Sequence, residues 1–485
     1  MNTLEAARKY ETSHMLDVPK ISKPLFHVSA PVGWMNDPNG FSLYKGKIHL
    51  FYQYYPYKNE WGPMHWGHCV TSDMIRWEQL PVALAPDQDY DAFGCFSGSA
   101  IEVGDQHVLL YTGVSKIELD GQIIERQNQC LAYGDGKNYV KYEKNPVITG
   151  EMLPAGCSRV DFRDPKIWKE NNKYYLIVGN KNDRQVGEVI LCSSINLREW
   201  KYESILASND TNKIGSMWEC PDFFPLGDKR VLICSPQNMK ADEVEFHNGN
   251  NSVYFVGEFD TVTYHFEKED PHTLDYGFDF YAPQTTLMPD GRRIMIAWMK
   301  SWDACVMPDG QKWQGMMTLP RELQLKEGRI WQTPIRELEQ YRRNLCRYEH
   351  EWISGCTMLD GVDGRNIDLT VTLEDGNYTD FVMELAADEE YKTSFSYNRE
   401  KRLLEIDRTF CGVTHDVVCV RKVKIIAEEL LRMRFVLDRQ SIELFINDGQ
   451  QVVTTAICTP LEAKQIRFFA EGKLRICVEK YDIVV

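Results

Sequence analysis

No stretch of this 485-residue chain is long and apolar enough to form a membrane helix. The opening MNTLEAARKYETSHMLDVPK is charged throughout and lacks the apolar centre of a secretory leader, so the cytoplasm is the expected location. Positive charge is short as well: 55 Lys and Arg face 71 Asp and Glu, a net charge of −16, with the two signs interspersed. That balance argues against a nucleic-acid groove or an anionic membrane surface and favours a neutral small molecule as partner. The 14 cysteines fall in no disulfide-framework spacing, as expected of buried free thiols in a reducing compartment. His65, His68 and Cys69 come nearest to a metal cluster, but no second ligand pair sits at zinc spacing, so neither metal nor cofactor is expected.

The chain does have ample core-forming material, 43% hydrophobic with 12% aromatic, arranged in a repeat. Five stretches follow one plan of polar cluster, strand, tight turn and strand. They begin at Asp37 (DPNGFSLYKGKIHLFYQYY), Ser97 (SGSAIEVGDQHVLLYTGV), Asp164 (DPKIWKENNKYYLIVGN), Glu219 (ECPDFFPLGDKRVLICSPQ) and Tyr281 (YAPQTTLMPDGRRIMIAWM), spaced 60, 67, 55 and 62 residues apart. A near-constant period in strand-rich sequence is the signature of radially repeated sheets. The fold class is therefore all-β, with a five-bladed propeller over residues 1–332. Thr333-Pro334 and apolar Ile335, Leu338, Tyr341 and Leu345 predict a linker helix over 333–346. Alternating segments around Asp375-Gly376 and Asp448-Gly449 predict a β-sandwich over 347–485, read as support for the propeller.

Three of the five repeat-start positions carry carboxylates. Singly, each has a structural reading: Asp37 before Pro38 as a turn former, Asp164 as a turn or half of an ion pair, Glu219 as the satisfied first residue of a strand. Together, at matching points of three repeats, they converge at one end of the central channel. Crowded acids are tolerated chiefly at functional sites, where one keeps its proton while another stays ionised. That division of labour suits glycoside cleavage. Trp34, Trp61, Trp66, Phe96, Trp218, Tyr281 and Trp298 lie in or near the same segments and could cover apolar sugar faces or fill blade cores. Asn36, Gln53, Ser97 and Arg163 could supply polar contacts.

The blocks WMNDPNG, FSGSA, FRDP and ECPD, in this order, resemble the signatures of glycoside hydrolase family 32, the invertases, sucrose-6-phosphate hydrolases, levanases and inulinases. The resemblance spans essentially the whole chain. It implies a propeller with a carboxy-terminal sandwich and hydrolysis of terminal β-D-fructofuranosyl units of sucrose, sucrose 6-phosphate or short fructo-oligosaccharides with retention. By the same resemblance Asp37 is the nucleophile, Glu219 the general acid and then base, and Asp164 the transition-state stabiliser. The resemblance implies that Asn36, Gln53, Trp61, Phe96, Ser97, Arg163, Tyr281 and Trp298 line the pocket, and Trp34, beside the first repeat start, is expected to join them. Two other readings stand beside it: an arabinan- or xylan-cleaving five-bladed propeller and a non-catalytic sugar-binding propeller.

Overall fold

The computed structural model describes residues 2–119, 121–209, 214–303, 310–413, 417–426 and 430–485. Five antiparallel sheets succeed one another along the chain and form the blades of a propeller. Their inner strands are Gly33–Tyr44, Gly94–Val103, Cys157–Glu170, Trp218–Leu226 and Tyr281–Leu287, each opening one of the five repeats. Each hands over to the next strand through a tight turn. Lys45 and Gly46 both take positive φ, as do Asn171 and Asn172, the backbone that a two-residue hairpin requires.

The ring closes without a covalent bond. Strand Trp313–Gln314 pairs in parallel with Gly33 and Trp34 of the first inner strand, and Ala30 donates to the Gly315 carbonyl. Gly315 has φ +96°, and a Cβ there would stand 2.0 Å from the Met35 carbonyl oxygen, so no other residue fits the seam. Between blades the core is aromatic and aliphatic. Trp66 packs on Phe51 and Tyr111, and Trp218 on Phe255, both indoles fully buried. These two tryptophans belong to the blade cores and not to the pocket wall.

An amino-terminal helix, Leu4–His14, which no sequence signal singled out, is capped by Thr3 and lies against the outer strand of the first blade, where Arg8 Nε donates to the Val82 carbonyl. The expected linker helix is a second departure. Residues 333–334 finish the last blade strand, Arg329–Pro334. Only Arg336–Tyr341 coil, as a 3₁₀ helix, and strand Arg342–Thr357 begins at once. The reason lies in the spacing. Ile335, Leu338 and Tyr341 are buried three residues apart, which lines up on a 3₁₀ turn, whereas Leu345 is half exposed. Arg342 is held in the sheet by pairing with Ile483 and by Asp368, 2.8 Å from its Nη2.

The carboxy-terminal sheet is organised by two long antiparallel strands, Ile367–Ala387 and Gln465–Ile483. The first half of Ile367–Ala387 pairs with Leu431–Asp438 and its second half with Thr393–Asn398, with an irregularity between Leu373 and Gly376, so one strand serves two layers around a single apolar core. Buried charge joins this sandwich to the propeller. His27 bridges Asp438 and Glu443 at 2.8 Å each, and Arg321 meets Glu443 (2.6 Å) and Asp275 (2.9 Å), with every side chain at 0% exposure.

Two histidine sets titrate in opposite senses. His49, His68 and His107 are buried between the first two blades, with His49 Nδ1 2.9 Å from His68 Nε2. Burial pushes His49 down to about 4, His107 to about 3 and His68 well below its ordinary value, and the rings' mutual repulsion adds at His68 and His107. His27 goes the other way: burial opposes its charge, but Asp438 and Glu443 overcome this and lift it to about 9. The neutral trio stabilises the fold above an unfolded pKa of about 6.5 and loses that contribution as pH falls toward 4. The charged His27 contributes fully below about pH 6.5 and loses it as pH rises through 9. The histidine contribution to the unfolding free energy should therefore peak near pH 6.5, with each ring contributing a slope of up to about 1.4 kcal/mol per pH unit. Urea titrations from pH 4 to 9 check this, and a curve that His27→Gln and His49→Gln leave unchanged would contradict it.

Candidate active site

In every blade the inner strand breaks register with its neighbour at the point where the repeat begins. The slips fall between Met35 and Pro38, Phe96 and Gly98, Glu219 and Asp222, and Tyr281 and Gln284. In the third blade the slip lies opposite Ile177 to Gly179, and there Asp164 and Pro165 lack partners. A bulge bends the strand and re-aims a side chain, here five times around one axis. Asp164, Cys220 and Ala282 take φ values of 67°, 46° and 52°, left-handed conformations that cost non-glycine residues roughly 1–2 kcal/mol each. These three fall in the bulges that carry Asp164, Glu219 and Tyr281.

The bulges bring Asp37, Asp164 and Glu219 into one hydrogen-bonded group. Asp37 accepts from Ser97 Oγ at 2.7 Å on Oδ2 and from Asn36 Nδ2 at 3.0 Å on Oδ1, while Asn36 is itself held by Trp34 Nε1 at 2.8 Å. Asp164 accepts the Cys220 backbone N–H at 2.9 Å on Oδ2. Glu219 Oε1 faces the Arg163 guanidinium at 2.8 and 3.1 Å, and its Oε2 accepts the Tyr281 hydroxyl at 2.6 Å. The Cys220 thiol links the set, standing 3.5 Å from Asp37 Oδ2 and 3.6 Å from Asp164 Oδ2. Each acid thus takes a hydrogen bond from the blade that follows its own in the chain.

Burial in a crowd of acids governs the electrostatics. Asp164 is lifted to about 7, chiefly by burial; the Arg163 charge opposes this and the charges of Glu219 and Asp37 reinforce it. Asp37 is also pushed up by burial, against the Ser97 hydrogen bond and with the help of the Glu219 charge. Burial opposes the charge of Arg163, but Glu219 and Asp164 more than offset it, so the guanidinium stays charged. Burial raises the Tyr281 phenol and the Cys220 thiol well above their ordinary values, with neighbouring acids adding, and both remain protonated donors.

Around the acids Trp34, Met64, Cys220, Tyr281, Ala282 and Trp298 pack into one cluster with Tyr55 and Phe96 at its edge. Trp61 stands over Phe96 edge-on at 6.0 Å and is 40% exposed, a rim position. Gln53 is buried and spends its amide N–H on the Cys95 carbonyl at 2.9 Å. Several participants escaped the sequence reading. Cys220 was hidden because a bulge, not alternation, turns it inward beside Glu219. Gln127 and Asp161 each accept from Arg163 Nη1 at 3.3 Å. Trp302 stacks on Trp34 at 6.1 Å, and Lys300 sits 4.6 Å over the same ring; both lie just beyond the end of a blade strand, four and two residues past Trp298.

A family model for the glycosyl hydrolases family 32 N-terminal domain matches residues 27–334, and one for the C-terminal domain matches 337–484. The chain belongs to glycoside hydrolase family 32. Among members of the family it is 35% identical to a sucrose-6-phosphate hydrolase of Escherichia coli over 92% of this chain and 91% of that protein. It is 36% identical to a raffinose invertase of the same species over 92% of each. A solved family 32 β-fructofuranosidase of Bombyx mori superposes with a TM-score of 0.85 at 33% identity, covering 99% of this chain and 98% of that one. A sucrose-6-phosphate hydrolase of Lactobacillus gasseri gives 0.86 at 26% identity, covering 99% of each chain. Family membership makes the chain a glycoside hydrolase, with the propeller and sandwich described above.

Removing the Ser97 hydroxyl takes away a donor that favours the ionised Asp37. Hydrogen bonds to charged groups are worth about 1.5–3 kcal/mol, or roughly one to two pH units. Ser97→Ala should shift the acidic limb of the kcat/KM profile upward by about that interval, and an unmoved limb would show that Ser97 does not tune Asp37.

Proposed function

We propose that this family 32 hydrolase is a retaining β-fructofuranosidase acting on terminal non-reducing fructosyl units, with sucrose or sucrose 6-phosphate as the principal substrate and short fructo-oligosaccharides as further ones. The observation that carries the reading is the convergence of Asp37, Asp164 and Glu219 from three blades onto one thiol and one guanidinium. The named activities of the Escherichia coli relatives and the Bombyx mori enzyme support the substrate class. Cytoplasmic cleavage of an imported sugar fits this reading.

In the proposed mechanism Asp37 attacks C2 of the fructosyl unit. Its two oxygens are steadied by Ser97 and Asn36, which fixes the line of approach. Glu219 delivers a proton to the glycosidic oxygen, breaking the bond to the leaving sugar and leaving a fructosyl ester on Asp37. Water then attacks C2 as Glu219 takes its proton, so that two inversions give net retention. Arg163 and Tyr281 hold Glu219 in place from both oxygens. Asp164, with one oxygen fixed by the Cys220 N–H, grips fructose hydroxyls and faces the positive charge that develops on the ring. Trp34, Phe96 and Trp298 form the apolar wall, Trp61 the rim, and Gln53 a support behind it.

Asp37→Ala should lower kcat on every fructoside by at least about 10⁴-fold, the scale expected when a nucleophile is lost. Glu219→Gln should lose as much on sucrose but retain far more on a fructoside whose leaving group needs no proton. Product analysis by NMR should show β-fructose first. Equal losses of Glu219→Gln on both substrate types would remove Glu219 as the acid, and release of arabinose or xylose without fructose would remove the substrate assignment.

A further inference from the structure

The inner strands that present the acids at one end of the axial channel line a second cavity farther along. Ser97 is followed by Ala100–Glu102, Asp164 by Lys166–Glu170, Glu219 by Asp222–Pro225 and Tyr281 by Thr285–Leu287, with Phe41–Leu43 from the first blade. At about 3.3 Å per residue, these positions lie roughly 7–20 Å along their strands from the repeat-start residues. All five blades contribute to a cavity of about 570 Å³, within the size range that houses small metabolites.

Its charges are unevenly paired. Lys166 Nζ meets Asp222 Oδ2 at 2.9 Å and the Thr285 carbonyl at 2.7 Å, and the Thr285 N–H closes the group on Asp222 Oδ2 at 2.7 Å. Arg230 is matched by Glu170 at 2.8 Å. Arg293 makes no ion pair among the described residues, although the Asp222 charge acts on it from a distance. Its guanidinium lies 4.8 Å over the Phe224 ring and reaches only Thr285 Oγ1, at 3.4 Å. Two buried atoms in this wall lack any hydrogen bond: Arg293 Nε, a donor, and Oδ1 of Asp222, an acceptor on a residue that is 1% exposed. Orphaned buried polar atoms are costly, and here a complementary pair belongs to residues that line one cavity, where Lys166, Lys169, Arg230 and Arg293 stand against Glu102, Glu170 and Asp222.

We propose that this far end of the channel binds a small hydroxylated anion, its acidic group accepting from Arg293 and one of its hydroxyls donating to Asp222 Oδ1. A neutral sugar would leave Arg293 without a contact ion pair, and a bare anion would leave Asp222 Oδ1 without a donor. A sugar phosphate and a sugar acid share the required chemistry. Such a ligand would rest on the strands that carry Asp164 and Glu219, two and three residues from Lys166 and Asp222.

Calorimetric titration of the full chain with glucose 6-phosphate, gluconate, glucose and inorganic phosphate tests this. One or both hydroxylated anions should bind, more tightly than glucose or inorganic phosphate, and the comparison of the two separates phosphate ester from carboxylate. Arg293→Gln should raise the Kd of the bound anion at least tenfold while kcat/KM on sucrose is unchanged. Leu287→Glu, which adds a negative charge at an exposed rim position, should weaken binding in the same direction without touching the core. The assignment is overturned if neither hydroxylated anion binds, if glucose or phosphate binds as tightly, if both variants bind with the original affinity, or if Asp37→Ala abolishes the binding.

Discussion

Three crowded carboxylates, two of them on one thiol and the third on a guanidinium, are the constraint around which this molecule is built. Left alone, such a group would expel charge by taking up protons, or would spread apart. Spreading apart is closed to it, because each acid is fixed by a donor from outside its own strand and by a bulge in its backbone, and the pull toward protonation shows in the raised Asp164 and Asp37. One guanidinium, Arg163, supplies the nearby positive charge and is itself shared with Asp161 and Gln127. The result is a site in which negative charge is costly while it is empty. On the proposed mechanism a fructosyl ring turning cationic in its midst relieves that cost, so that an electrostatic penalty in the resting protein becomes a lower barrier for the reaction.

The sandwich bears on the same constraint from a distance. Its link to the propeller is made of charges that are each unfavourable to bury alone: His27 between two carboxylates, Arg321 between Glu443 and Asp275, and Arg408 against Asp279. Removing one partner from such a pair typically costs about 3–5 kcal/mol, because the other is left buried and unmatched. The fifth blade and the segment that closes the ring therefore depend on sandwich residues for satisfied hydrogen bonds. Leu319, close to the ring-closing strand, donates its N–H to Glu443. The seam that completes the propeller is thus fixed partly from the other domain.

Much of this was legible because one plan recurs. The repeat period located the five inner strands, the turn pairs located the hairpins, and the matching positions of Asp37, Asp164 and Glu219 pointed to a common place before any coordinate was known. What the pattern could not carry was whatever departs from alternation. A bulge leaves no compositional mark, so Cys220, next to a marked acid, read as an ordinary strand residue. Trp66 and Trp218 have the same composition signal as Trp34 and Trp298, and only the packing of Phe51 and Phe255 against them separates blade core from pocket. The helix expected at 333–346 failed for a related reason: apolar residues at 335, 338 and 341 satisfy a three-residue spacing as well as a helical one, and the choice was made by the pull of Arg342 into the neighbouring sheet.

The pattern of donors explains why only three of the five equivalent positions are acidic. Ser97, in the second blade, gives its proton to Asp37 of the first, and Tyr281, in the fifth, gives its proton to Glu219 of the fourth. The backbone N–H of Cys220, in the fourth blade, serves Asp164 of the third. A carboxylate in place of Ser97 or Tyr281 would remove a donor and add a like charge at the same stroke, and each loss falls on an acid that the proposed mechanism uses. Equivalent positions in a symmetric ring are therefore divided between groups that accept and groups that give. Because each acid takes one donor from the adjacent blade, a shift of one blade against the next would change an acid's position and its protonation together.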